Sequence, residues 1–138
     1  MSDKERVLIL CTGNSARSQM AEGLLRELHG DKFEVHSAGV DPSIVRPEAI
    51  DVMKEIGIDI SGHTSKSADI FAGQEFDYII TVCDNAKEQC PYFPGSAKRI
   101  HRTFEDPASA SGSYDDRAAA FRRVRDQISE YLRGFPGE

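Results

Sequence analysis

Runs of consecutive apolar residues, alternating with helix-length amphipathic stretches, constrain this chain most. VLIL at 7–10 and YIITV at 78–82 show no polar alternation, as expected of strands buried on both faces of a parallel sheet. FEVHSAG at 33–39 alternates, and KRIHRTF at 98–104 is polar enough to belong nearer an edge. The intervening segments read as helices. Met20, Ala21, Leu24, Leu25 and Leu28 form a stripe at helical spacing, capped by Ser15 and ended by Gly30. PEAIDVMKEIG at 47–57 places proline in its first turn and glycine just past its end. ADIFAG at 68–73 reads as a short helix. Phe121, Val124, Ile128 and Leu132 mark an amphipathic helix from Tyr114 to Leu132. This β-α-β-α-(α)-β-α-β-α order predicts an α/β fold, an open parallel sheet of four strands with helices on both faces.

With 138 residues and no repeat or linker, the chain fits one domain over 1–138 with a real core. Its 39% hydrophobic and 29% charged residues are those of a soluble globular protein. No apolar run approaches bilayer-spanning length, and MSDKERVLILCTG has neither the apolar stretch nor the cleavage site of a leader. A cytoplasmic monomer without a membrane partner is expected. The net charge of −6 argues against nucleic acid, and FRRVRDQ at 121–127 reads as a solvated helix face. Cys11, Cys83 and Cys90 are too few, and odd in number, for a secreted disulfide scaffold. Taken singly, each could be a small buried hydrophobe.

Their placement argues otherwise. In open parallel sheets ligands bind beyond the carboxyl ends of the strands. Cys11 follows the first strand, Cys83 the third and Asp106 the fourth, so all three reach one edge. The octet CTGNSARS at 11–18 joins a buried strand to a helix through a loop in which Gly13 permits a tight turn. Such a junction gathers backbone N–H groups of Thr12, Gly13, Asn14, Ser15, Ala16, Arg17 and Ser18 around one point, beside the positive end of a helix dipole. A tetrahedral oxyanion suits that point, and Arg17 adds charge-assisted donors. The same field favours a thiolate at Cys11, with Thr12, Ser15 and Ser18 hydroxyls available to the sulfur. The thiol is thus placed to attack the centre of an anion held in the loop.

These residues carry a resemblance. VLILCTGNSARSQMAEG is similar to the opening of the low-molecular-weight protein tyrosine phosphatase superfamily, and most closely to its thioredoxin-coupled arsenate reductases. SAG at 37–39, DISGHTS at 59–65, TVCDNAKEQCP at 81–91, FEDPA at 104–108 and FRRVRDQI at 121–128 extend it along the chain. The resemblance implies strand order 2-1-3-4, Cys11 as nucleophile, Arg17 and the loop amides as cradle, and Asp106 as general acid. It further implies a relay in which arsenate is reduced through a Cys11–Cys83 disulfide, then a Cys83–Cys90 disulfide that thioredoxin reduces. That chemistry serves arsenic detoxification. Phosphate and sulfate would also enter the cradle. A phosphatase acting on phosphate monoesters is the alternative, but it needs no second or third thiol. After Asp106 the chain reads PASASG, small and polar where a phosphotyrosine slot would want aromatic walls.

Family members often hold potassium behind the loop, through positions matching Asn14, Glu22, Ser37 and an aspartate that is Lys66 here. Lys66 either abolishes the ion site or puts its ammonium in the cation's place; the second reading is preferred. No tightly bound cofactor is expected, and no metal. Zinc held by Cys83, Cys90 and His101 matches known spacings poorly. His29, His36, His63 and His101 show no base role. Tyr92 and Phe93 read as packing. Seven helical residues from Cys83 to Cys90 would span about 10.5 Å, beyond the roughly 7 Å a disulfide tolerates. Residues 84–97 are therefore expected to be the most mobile of the chain and to rearrange with redox state.

Overall fold

A computed structural model describes residues 4–83 and 95–136. Strand Glu5–Cys11 (β1) is flanked by Phe33–Gly39 (β2) and Tyr78–Thr81 (β3), and Lys98–His101 (β4) forms the far edge. The order is β2-β1-β3-β4 with every neighbour parallel, as expected. Parallel pairing requires a crossover between neighbours, and the helical segments supply it. Alternation then sorts β1 side chains. Val7, Ile9 and Cys11 enter one core, while Leu8 and Leu10 enter another on the opposite face.

The first core is covered by helices Arg17–His29 (α1), Pro47–Lys54 (α2) and Tyr114–Arg133 (α3). Phe121, Val124, Ile128 and Leu132 of α3 are all buried there, each worth about 1.5–3 kcal/mol on transfer from water. The second core packs Phe76 and Phe71, the latter from the 3-10 helix Ala68–Phe71, against Leu8, Leu10, Ala38 and Ile79. Both faces are thus covered, by three α-helices on one side and a 3-10 helix on the other among the described residues. None of these helices is long and apolar enough to cross a membrane.

Several boundaries differ from expectation. β4 stops at His101 rather than 104, α2 stops at Lys54 rather than just before Gly57, and the 68–73 segment holds a 3-10 helix over Ala68–Phe71. Leu28 is 37% exposed, because the last turn of α1 runs past the core. Gly30 does end α1, where a Cβ would come within 2.2 Å of the Arg26 carbonyl oxygen. Ser15 is not the cap. The N-cap is Ala16, and no side chain caps α1. A second 3-10 helix, Pro107–Ser109, starts from Asp106. The segment expected to be mobile lies outside the described residues except for 95–97, and Cys90, Tyr92 and Phe93 lie outside them too.

Candidate active site

At the carboxyl ends of the strands a cleft of about 590 Å³ is lined by Cys11, Gly13, Ser15, Arg17, Asp106 and Ser109, among others. Its floor is the loop between β1 and α1, whose carbonyls are held from outside. Thr12 O accepts from the Asp41 N–H at 2.9 Å, and Ser15 O from the Arg46 N–H at 3.0 Å. Gly13 O accepts from the Ser43 N–H at 3.3 Å and the Ser65 hydroxyl at 2.9 Å. Asn14 O accepts from Gln19 Nε2 at 3.0 Å. Each peptide here is trans, so its N–H points opposite its C=O. Pinning the carbonyls outward turns the N–H groups of Gly13, Ser15 and Ala16 towards the cleft that these residues line. The first amides of α1, uncapped by any side chain, add to them. An anion entering the cleft would meet these local dipoles, which oppose the repulsion of the chain's net charge of −6.

Behind the loop a chain of hydrogen bonds has a single polarity. The Lys66 backbone N–H donates to Asn14 Oδ1 at 2.8 Å, which fixes the amide of that residue. Both hydrogens of Asn14 Nδ2 are then committed, to Ser18 Oγ at 2.8 Å and Ser37 Oγ at 3.0 Å. The Ser37 hydroxyl donates in turn to Glu22 Oε1 at 2.5 Å. With Asn14 donating to it, the Ser18 hydroxyl has its own proton left for Cys11 Sγ at 3.0 Å. Asn14 reaches these partners from a left-handed backbone, φ 47°, a conformation asparagine tolerates better than most residues.

The Arg17 guanidinium is 4% exposed, donates to Phe104 O at 3.3 Å and lies 3.7 Å from Asp106 Oδ2. Asp106 Oδ1 accepts from the Ala108 N–H at 2.9 Å, capping the 3-10 helix, so Oδ2 is the oxygen on the Arg17 side. Cys83 is fully buried one residue beyond Val82, whose N–H donates to Leu10 O at 3.0 Å. Cys11 and Cys83 belong to the same buried cluster. Cys11 is a free thiol, whereas Cys83 is disulfide-bonded.

Glu22, buried, anchors the outer end of this network. Arg26 Nη2 is 2.7 Å from Glu22 Oε2, and Lys66 Nζ is 3.9 Å from Oε1 while donating to Thr64 O at 2.8 Å. Burial pushes the Lys66 ammonium below its ordinary value, Glu22 pulls it back and Arg26 opposes it. Burial likewise lowers His63, with Glu22 raising it and Arg26 and Lys66 lowering it. Gln19, His63 and Ser65 are structural parts of the site that motif reading passes over. Gln19 lies just past the octet, whereas His63 and Ser65 fall in HTS at 63–65, far along the chain from it. His29, His36 and His101 lie at the end of α1, in β2 and in β4, away from the loop.

Residues 6–137 match the family described as low molecular weight phosphotyrosine protein phosphatase, and the chain belongs to it. The arsenate reductase of Halalkalibacterium halodurans is 45% identical over 133 residues, 96% of each chain. That of Bacillus subtilis is 44% identical over 129 residues, 94% of this chain and 93% of the other. Among solved structures, an arsenate reductase from Archaeoglobus fulgidus has a TM-score of 0.77 at 27% identity, covering 92% of this chain and 95% of that one. An arsenate reductase in the phosphate binding state scores 0.72 at 34% identity over 93% of each chain. The Corynebacterium glutamicum thioredoxin-dependent arsenate reductase scores 0.70 at 25%, covering 96% of this chain and 59% of that one. The family suggested by the octet is the family found.

Proposed function

We propose that this protein reduces arsenate to arsenite through a three-thiol relay, with thioredoxin as reductant. The observation that carries the reading is the state of its sulfurs. Cys11 is free at the cleft, and Cys83, buried behind the neighbouring strand, is already in a disulfide with a sulfur other than Cys11. Cys90, the remaining cysteine, would be the third thiol of the relay. A phosphatase uses only one thiol. The small residues Ala108, Ser109 and Ala110 after Asp106 also favour a free oxyanion over an aryl ester.

The chemistry balances as follows. Cys11 thiolate attacks arsenic, forming an S–As bond, while an As–OH bond breaks and Asp106 gives the departing hydroxide a proton. The loop amides and Arg17 take up the charge on the other oxygens. Cys83 thiolate then attacks Cys11 Sγ. An S–S bond forms, and the S–As pair stays on arsenic, which leaves as arsenite, reduced by two electrons. Cys90 thiolate attacks Cys83, freeing Cys11 as thiolate, and a thioredoxin dithiol reduces Cys83–Cys90. The thioredoxin-dependent relative and the cysteine placement support this coupling.

We further propose that Lys66 stands where relatives bind potassium. The donors do not fit a resident ion. Asn14 Oδ1 already accepts from the Lys66 N–H, Ser37 Oγ donates to Glu22, and the ammonium itself lies 3.9 Å from Glu22. A monomer working in the cytoplasm, binding no nucleic acid, completes the reading, supported by the net charge of −6.

The test is arsenate-dependent turnover with thioredoxin, thioredoxin reductase and NADPH. Wild type turns over, whereas Cys83→Ser and Cys90→Ser lose turnover by about 100-fold or more, as for loss of a covalent participant. Exchanging sodium for potassium changes the wild-type rate less than about twofold, since a potassium effect needs differential binding. Normal turnover by both mutants overturns the relay and returns the phosphatase reading. A strong potassium activation overturns the Lys66 proposal.

A further inference from the structure

Three of the four loop carbonyls described above are held by backbone N–H groups, but Asn14 O is held by a side chain. That side chain is Gln19, fully buried in the first turn of α1. Its Nε2 donates to Asn14 O at 3.0 Å and to Thr64 O at 2.9 Å. Both targets are carbonyls, which accept only, so the amide has one admissible orientation. Its Oε1 faces His63 Nδ1 at 3.0 Å. The other ring nitrogen, Nε2, lies 3.3 Å from Arg26 Nη1, a group that only donates. His63 Nε2 therefore accepts, Nδ1 carries the proton, and Nδ1–H donates to Gln19. Every hydrogen-bonding atom of the Gln19 amide is used, and each has a single possible role.

The Asn14–Ser15 peptide is the one this clamp holds. Its carbonyl is drawn onto Gln19 and its Ser15 N–H is turned towards the cleft. Asn14 sits in the left-handed region at φ 47°, where an unheld peptide plane is free to rotate into commoner conformations.

We propose that Gln19 is a positioning residue of the oxyanion cradle, aiming the Ser15 N–H at the bound anion, and that His63 acts through Gln19 by locking its amide. This rests on the loop being an oxyanion cradle; the identity of arsenate as substrate does not enter it. The clamp joins the cradle to the 60–66 segment through two side chains 44 residues apart.

The test reads the cradle without arsenate reduction. In a Cys83→Ser/Cys90→Ser background, so that Cys11 alone reacts, iodoacetamide alkylation is followed against inorganic phosphate, which protects the thiol by occupying the loop. Gln19→Leu weakens phosphate protection by about 10-fold or more, the scale of one misdirected charge-assisted donor, each variant's protection being read against its own alkylation rate without phosphate. His63→Leu shows the same weakening, and His63→Asn, which keeps a donor near the Nδ1 position, restores most of it. In the three-cysteine protein the same substitutions lower kcat as well as raising the KM for arsenate. Circular dichroism and thermal melting establish that each variant is folded. Should Gln19→Leu fail to fold, the His63→Leu and His63→Asn pair decides alone. A folded Gln19→Leu with phosphate protection within twofold of the parent, or equal phosphate protection in the two His63 variants, overturns the proposal. Loss of arsenate turnover in the three-cysteine parent with normal phosphate protection would instead count against the arsenate reading and leave the clamp standing.

Discussion

Ser18 has one proton to give, and its neighbours leave one place for it. Asn14 Nδ2 points a hydrogen at its oxygen, so the hydroxyl hydrogen goes to Cys11 Sγ, 3.0 Å away. A hydrogen bond to a charged group is worth about 1.5–3 kcal/mol. Ser18→Ala should therefore slow alkylation of Cys11 by iodoacetamide at neutral pH by about 10–100-fold, and the buried Asn14 donor it orphans should lower the melting temperature by several degrees. An unchanged alkylation rate would contradict the polarity derived for the chain. Gly39 acts on the same loop by absence. Its partner across the ladder is Cys11, and a Cβ there would lie 2.6 Å from Thr12 O and 2.9 Å from Asn14 N. SAG at 37–39 thus has a steric meaning, in that only a bare α-carbon lets β2 back the loop so closely.

Elements hold their mutual positions through ion pairs as well as apolar packing. Between α2 and α3, Arg122 grips Glu55 with both nitrogens at 2.9 and 2.7 Å, and the buried Arg125 reaches Glu55 at 2.9 Å and Val52 O at 2.7 Å. The Arg122 guanidinium, joined by Arg125 and opposed by slight desolvation, holds the Glu55 carboxyl down at about 2. A carboxyl depressed on folding stabilises the protein fully above its unfolded value and loses that contribution as pH falls towards the folded value. The group is solvent-accessible, so its worth is under about 1 kcal/mol. Glu55→Gln should lower the melting temperature by a few degrees, about 2–4 °C, near pH 7. That difference should shrink as pH falls from the unfolded value of 4.5 towards about 2. A difference independent of pH would contradict it.

At this scale much is legible in the sequence. Apolar runs show the strands because burial on both faces leaves no room for alternation, and the apolar spacing of α3 survives intact in its buried residues. Other features resist reading for physical reasons. Ser15 is a good capping residue by type, yet the loop keeps it at the cleft and leaves the helix amides to a ligand. Gln19 and His63 look unremarkable because their roles depend on contacts made 44 or 45 positions away. The 3-10 turn at Pro107–Ser109 is too short to leave a period. Cys11, Arg17 and Asp106, by contrast, are legible because Cys11 and Arg17 fall within the octet and Asp106 lies in the segment after the fourth strand, and the structure brings them to one cleft.

For the whole molecule, the sheet order does the organising. Placing β1 between β2 and β3 sets Gly39 against the loop on one side and brings the chain of Cys83 alongside it on the other. A sequential strand order would separate the first and third strands and their sulfurs. Parallel direction carries every strand end to the same edge, so Cys11, the Arg17 guanidinium, the Asp106 carboxylate and Cys83 come from elements that end on one side of the sheet. The proposed relay uses this convergence in its first transfer, between Cys11 at the end of β1 and Cys83 just past β3. Its most direct test is to stop it midway. Reduced Cys90→Ser, given one equivalent of arsenate and no external thiol, should release one arsenite per chain and accumulate a Cys11–Cys83 disulfide seen by peptide mass mapping. Arsenite release without that disulfide, or a chain left with both thiols free and arsenate unconsumed, would contradict the account.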